Sequence, residues 1–151
     1  MESGSLVVRK KMDASCEEVF DAWTDPMSLM EFMRPGGQIQ RCDVEVDPKV
    51  GGKFRIDMIG ASDVTRHTGE YLVIDRPRLL KFTWISKYTD NRPSVVTIEL
   101  IPHGADRCEI VLTHAGLPEA HVEAHKQGWT AIVESLATGS QRPPCADPSE
   151  R

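Results

Sequence analysis

Six stretches of alternating apolar and polar residues run from Ile39 to His114, joined by turns too short for a crossover, and they leave this chain few possible folds. Cys42, Val44 and Val46 alternate with Arg41, Asp43 and Glu45, the period of two that sends one strand face to a core and the other to water. Asp47-Pro48-Lys49-Val50-Gly51-Gly52 turns the chain into a second strand, with Phe54, Ile56 and Met58 on one face. After Gly60-Ala61-Ser62-Asp63 a longer strand spans Val64 to Ile74. Leu79 to Ser86 follows with Leu80, Phe82 and Trp84 in phase, then Val96, Ile98 and Leu100, and finally Cys108, Ile110, Leu112 and His114. Parallel neighbours need a connection of a dozen or more residues, so the run predicts an antiparallel meander with one buried face.

What flanks the meander is helical, apart from one strand. Ser5 to Met12 reads as a strand; Asp13 or Ser15 then caps a helix over Glu17 to Trp23 whose face carries Val19, Phe20 and Trp23. Asp25-Pro26 opens a second short helix that packs Leu29, Met30 and Phe32 or Met33 and ends at Arg34-Pro35-Gly36-Gly37. The spacing after the meander predicts one long helix over Leu117 to Thr138, with Pro118 in its first turn and Gly139 as its stop. His121, His125, Gly128, Trp129, Ile132 and Leu136 fall on one face of it. The expected pattern is therefore β-α-α-β(six)-α, an α+β domain over residues 1–138 whose curved sheet grips the last helix. Residues 139–151, rich in proline and polar side chains, are expected to be a disordered tail.

The chain has 151 residues, the size of one domain, and its net charge is −5. That sign argues against a nucleic-acid partner bound by phosphate neutralisation. The four cysteines, at 16, 42, 108 and 145, lack CxxC or metal-ligand spacing. Cys42 and Cys108 read as small buried hydrophobes, and Cys145 as exposed. No long apolar run or leader pattern is present, so the expectation is a cytoplasmic protein with reduced thiols and no membrane partner.

Several segments resemble the START/Bet v 1-like (SRPBCC) helix-grip superfamily, and within it the AHSA1-like proteins related to the activator of Hsp90 ATPase. They are Ala14 to Pro26, Val50-Gly51-Gly52-Lys53-Phe54, Thr68-Gly69-Glu70-Tyr71, Arg76-Pro77-Arg78-Leu79, and Leu112-Thr113-His114 through Gly128-Trp129 to Leu136. Each is short, but together they follow the family's order across residues 6–138. One departure is in the second helix, where Met30-Glu31-Phe32-Met33-Arg34-Pro35 lacks the tryptophan common in the family, so one cavity wall should be smaller and softer. The co-chaperone's separate N-terminal domain has no counterpart, so stimulation of a chaperone ATPase is not carried over. The resemblance implies a cavity between sheet and long helix for a hydrophobic or amphipathic small molecule, no cofactor, and stress response among the functional classes.

The pocket is expected to be lined by Phe54, Ile56, Met58, Tyr71 and Phe82 and by Trp84, Ile98, Leu112, Trp129 and Ile132. Trp84 and Trp129 suit a pocket wall as large aromatics with few polar neighbours. His67, His114 and His125 are the candidate polar contacts. His114 is also the one weak candidate for a catalytic acid/base, against a role of pinning the strand to the helix, and no nucleophile partner stands at a telling spacing. His121 and His125 lie one helical turn apart, but His-Val-Glu-Ala-His is not the zincin pattern, and no metal site is expected. Three functions stay in play: a hydrophobic-ligand binder, a cyclase- or hydrolase-type enzyme using a pocket histidine, and a co-chaperone-like or homodimeric interaction module with a filled core.

Overall fold

The computed structural model describes residues 3–33 and 39–140. The chain begins with β1 (Ser3–Met12), followed by α1 (Cys16–Thr24) and α2 (Pro26–Phe32). Ser15 caps α1 through a capping box: its hydroxyl accepts from the Glu18 N–H while the Glu18 carboxylate accepts from the Ser15 N–H. Asp25 caps α2 by accepting from the Ser28 N–H at 3.0 Å, with Pro26 at the first helical position. The expected turn at Arg34-Pro35-Gly36-Gly37, Cys145 and tail residues 141–151 lie outside the described residues.

The six alternating segments form β2 (Ile39–Val46), β3 (Lys53–Gly60), β4 (Val64–Asp75), β5 (Leu79–Trp84), β6 (Ser94–Pro102) and β7 (Cys108–Pro118). They pair antiparallel in chain order, and β1 joins β7, giving the sheet order β1-β7-β6-β5-β4-β3-β2. The last helix, α3, runs from Val122 to Ser140. This is the expected α+β pattern, a curved open antiparallel sheet with a C-terminal helix. Its inner face carries Phe54, Ile56, Tyr71, Phe82, Trp84, Ile98 and Leu112, all buried in one core with Trp129, Ile132, Val133 and Leu136 of α3.

The start of the long helix differs from the expectation. Leu117 and Pro118 complete β7, a 3₁₀ turn occupies Glu119–His121, and α3 begins only at Val122. The cause is a bulge. β1 pairs Gly4 with Leu117 but Ser5 with Ala115, which leaves Gly116 as the extra residue with φ +79°, a conformation glycine adopts without strain. The bulge turns Leu117 inward, where it is fully buried, so its apolar character serves the strand. At the other end Gly139 lies inside the helix, so the helix does not stop at it.

Gly69 is where the sheet admits its most crowded contact. It pairs with Phe54 across β3 and β4, and a side chain there would collide with the Thr83 backbone oxygen and the Phe54 ring. Glycine is needed here for space. Replacing Gly69 with Ala is expected to destabilise the protein by about 3 kcal/mol, at the upper end for overpacking, measured as a fall in the urea midpoint at unchanged slope. A loss below about 0.5 kcal/mol, the range of a neutral surface change, would contradict that contact.

Candidate functional site

Between the two short helices and β2 to β5 lies a small void with an almost wholly apolar wall. α1 contributes Trp23, α2 contributes Leu29, and Met33 caps the end of α2. Val46, Phe54, Ile56, Tyr71, Phe82 and Trp84 complete the wall from the sheet. These residues meet because alternation on β3 and β5 sends Phe54, Ile56, Phe82 and Trp84 to the same face, and the buried face of α1 lies over them. Phe54 is the centre of the aromatic packing, 5.3 Å from Phe82, 5.4 Å from Tyr71 and 6.0 Å from Trp84 between ring centroids, within the range of favourable ring pairs. Burial raises the Tyr71 hydroxyl to a pKa of about 12, so it is a neutral donor. The void measures about 10 Å³ as space open to a water's centre, the lower limit for one water molecule.

Five of the thirteen expected pocket residues line this void: Phe54, Ile56, Tyr71, Phe82 and Trp84. Met58, Ile98, Leu112 and Ile132 are buried in the same core without bordering it. Trp129 stands behind the wall, its ring centroid 4.9 Å from Trp84 and 6.2 Å from Trp23. His67 packs on Trp84 at 4.8 Å, and His125 meets His114 edge-on at 5.2 Å. Trp23, Leu29, Met33 and Val46 were absent from the expected set. The signal for Trp23, Leu29 and Met33 was the apolar face of each short helix and for Val46 the alternation of β2, but period alone does not tell which strands a helix face will cover.

His114 has no exposed surface, and both its ring nitrogens are engaged. The Trp129 Nε1–H donates to His114 Nδ1 at 2.8 Å. An indole N–H can only donate, so Nδ1 must be the bare nitrogen and Nε2 must carry the hydrogen. Nε2–H therefore donates to Ser94 Oγ at 2.7 Å, and the Ser94 hydroxyl passes its own hydrogen to the Trp84 carbonyl at 2.6 Å. A serine this close to a histidine suggests a nucleophile and its base, but the direction is reversed. Here the imidazole donates to the serine and cannot take its proton.

His67 and His125 each engage one ring nitrogen. His125 Nδ1–H donates to the His121 carbonyl at 2.8 Å, one turn back along the helix. His67 Nδ1 is 3.3 Å from the Ile56 carbonyl. Among the described residues, no group of three or more His, Cys, Asp or Glu side chains is placed to hold a metal ion. On the outer sheet face Asp57 accepts both Arg66 Nε–H and Nη2–H, at 2.9 and 3.1 Å, which lowers its pKa.

Burial depresses His114 to a pKa of about 3 and His67 to about 4. Both are neutral when folded, whereas an unfolded histidine protonates near pH 6.5. Below that pH the unfolded chain binds more protons, so stability is full above pH 6.5 and falls as pH drops toward the folded values. The expected slope is roughly 1.4 kcal/mol per pH unit for each ring. Urea unfolding between pH 6.5 and 4.5 checks it: His67→Gln should lower the slope by about 1.4 kcal/mol per pH unit, the burial of His125 adding to the native slope in the same direction, and a flat profile in the native protein would contradict two neutral buried rings.

Comparison with known proteins agrees with the architecture. The family model "Activator of Hsp90 ATPase homolog 1-like protein" matches residues 13–139. Protein CV1439 of Chromobacterium violaceum is 20% identical, with 93% of this chain and 99% of that one aligned at a TM-score of 0.79. CalU16 of Micromonospora echinospora is 23% identical over 92% of this chain and 77% of its own, with a TM-score of 0.70. A protein described as an HSP90 activator from Plasmodium falciparum is 27% identical over 92% and 97% of the two chains, with a TM-score of 0.74. No curated protein matches the chain. Among the described residues, no helix is long and apolar enough to cross a membrane. With the match spanning most of its length, the chain belongs to the activator of Hsp90 ATPase homolog 1-like family.

Proposed function

We propose that this protein binds a small hydrophobic or amphipathic molecule between its two short helices and the sheet. The observation that carries this reading is the nine-residue wall, in which only the Trp23 and Trp84 N–H groups and the Tyr71 hydroxyl supply side-chain hydrogen-bond donors. Burying apolar ligand surface there would contribute about 25 cal/mol per Å² before the cost of immobilisation. The void is too small for such a molecule at rest, so binding needs the wall to yield. Met33 is the side chain best suited to yield, being unbranched with three rotatable bonds. It also sits where the family often places a rigid tryptophan nearby, consistent with the softer wall expected from the sequence.

A second reading rests on the same volume. A void of about 10 Å³ is close to a filled core, as an interaction module of the co-chaperone or homodimer kind would have, and one structural relative is described as an HSP90 activator. The enzyme reading lacks comparable support, because His114 Nδ1 accepts from Trp129 and Nε2–H donates to Ser94, which leaves neither nitrogen free to act as a base.

Titration with the neutral fluorophore N-phenyl-1-naphthylamine separates the two. Ligand binding predicts saturable fluorescence in the native protein and about five-fold tighter binding in Met33→Ala, which enlarges the void at a stability cost of about 2 kcal/mol. No saturable signal in either protein would overturn the ligand reading and favour the interaction module.

A further inference from the structure

Trp23 holds the one polar atom of the wall that is both inaccessible to solvent and without a hydrogen-bond partner among the described residues, its indole Nε1. The side chain is 2% exposed. Buried donors are nearly always paired, and an orphan calls for an explanation. The contrast inside this protein is direct. The Trp129 N–H, in the same aromatic cluster, is bonded to His114 at 2.8 Å. The other orphan, Arg55 Nε, lies 3.4 Å from the Asp57 carboxylate on the outer sheet face and is compensated by that charge. Among the described residues Trp23 Nε1 has no hydrogen-bond partner, and its ring contacts are Phe32 at 5.0 Å and Trp129 at 6.2 Å.

Resting on the ligand-binding reading, we infer that the occupant is a planar apolar molecule carrying one neutral hydrogen-bond acceptor, a carbonyl or ether oxygen, which receives the Trp23 N–H. The acceptor is neutral because the wall contains no cationic side chain, and an unpaired carboxylate would lose its hydration without compensation. The rest of the molecule is flat and apolar because Phe54, Phe82 and Trp84 line the void as three aromatic side chains packed on one another. The donor is already desolvated in the free protein, so pairing it on binding is a gain with little further desolvation of the protein.

The test compares 2-acetylnaphthalene with 2-isopropenylnaphthalene, nearly the same shape with the carbonyl oxygen replaced by a methylene. A pocket without a donor prefers the hydrocarbon, because the ketone gives up hydrogen bonds to water. The native protein is expected to bind the ketone about ten-fold more tightly, and Trp23→Phe to lose that preference. The Trp23 indole proton should move downfield with the ketone alone in proton–nitrogen correlation spectra, a readout that does not depend on the variant folding. Equal affinities, a preference that survives Trp23→Phe, or an unmoved indole proton would overturn the acceptor assignment while leaving ligand binding intact. If neither compound binds, the ligand reading falls and this inference with it.

Discussion

The hydrogen bond from the Trp129 indole to His114 ties the C-terminal helix to the sheet at the depth of the core. It does not act alone. Because the indole can only donate, it sets the imidazole tautomer, which sets the direction of the Ser94 hydroxyl, which ends on a backbone carbonyl of the next strand. Four polar groups from α3, β7, β6 and β5 thus satisfy one another with no water required. Such a chain is stabilising when complete and costly when broken, since one missing member leaves a buried donor or acceptor unpaired. It also settles a chemical question that distance alone leaves open. The serine–histidine pair has the spacing of a nucleophile and base, and the third bond assigns it a structural role.

With the helix fixed there, Trp129 fills the space between Trp84 and Trp23. A void lined by described residues lies under α1 and α2, walled in part by Trp84 and Trp23. On the short-helix side Leu29 and Met33 complete the wall. α2 is a seven-residue helix, and a helix this short depends on packing more than on its own hydrogen bonds. Under the proposed ligand-binding reading it is the element that would shift, while the Trp129–His114 bond holds α3 in place.

The architecture was legible because its signals are local. Alternation at Phe54, Ile56 and Met58, or at Leu80, Phe82 and Trp84, reports which strand face is buried whatever lies opposite. Ser15 and Asp25 announced their helices through capping chemistry. The start of the last helix was not legible, since Leu117 and Pro118 suit a helix start until the bulge at Gly116 turns them into strand. The candidate site was half legible for a related reason. Most of its sheet wall follows from period two, but Trp23, Leu29 and Met33 enter it through the angle at which two short helices cross the strands, which is a tertiary property, and Val46 of β2 lines it with them. His114 was recognised as notable, but the partners that decide its role are twenty residues before it and fifteen after.

The location of the site is tested most directly by anomalous diffraction from a crystal of the protein bound to 2-acetyl-6-bromonaphthalene. A bromine peak among Phe54, Phe82 and Trp84, with the carbonyl oxygen directed at the Trp23 N–H and Met33 displaced, is the expected result. A peak beside His121 and His125 at the start of α3, or no peak with the Trp23 wall unchanged, would contradict a ligand site under the two short helices.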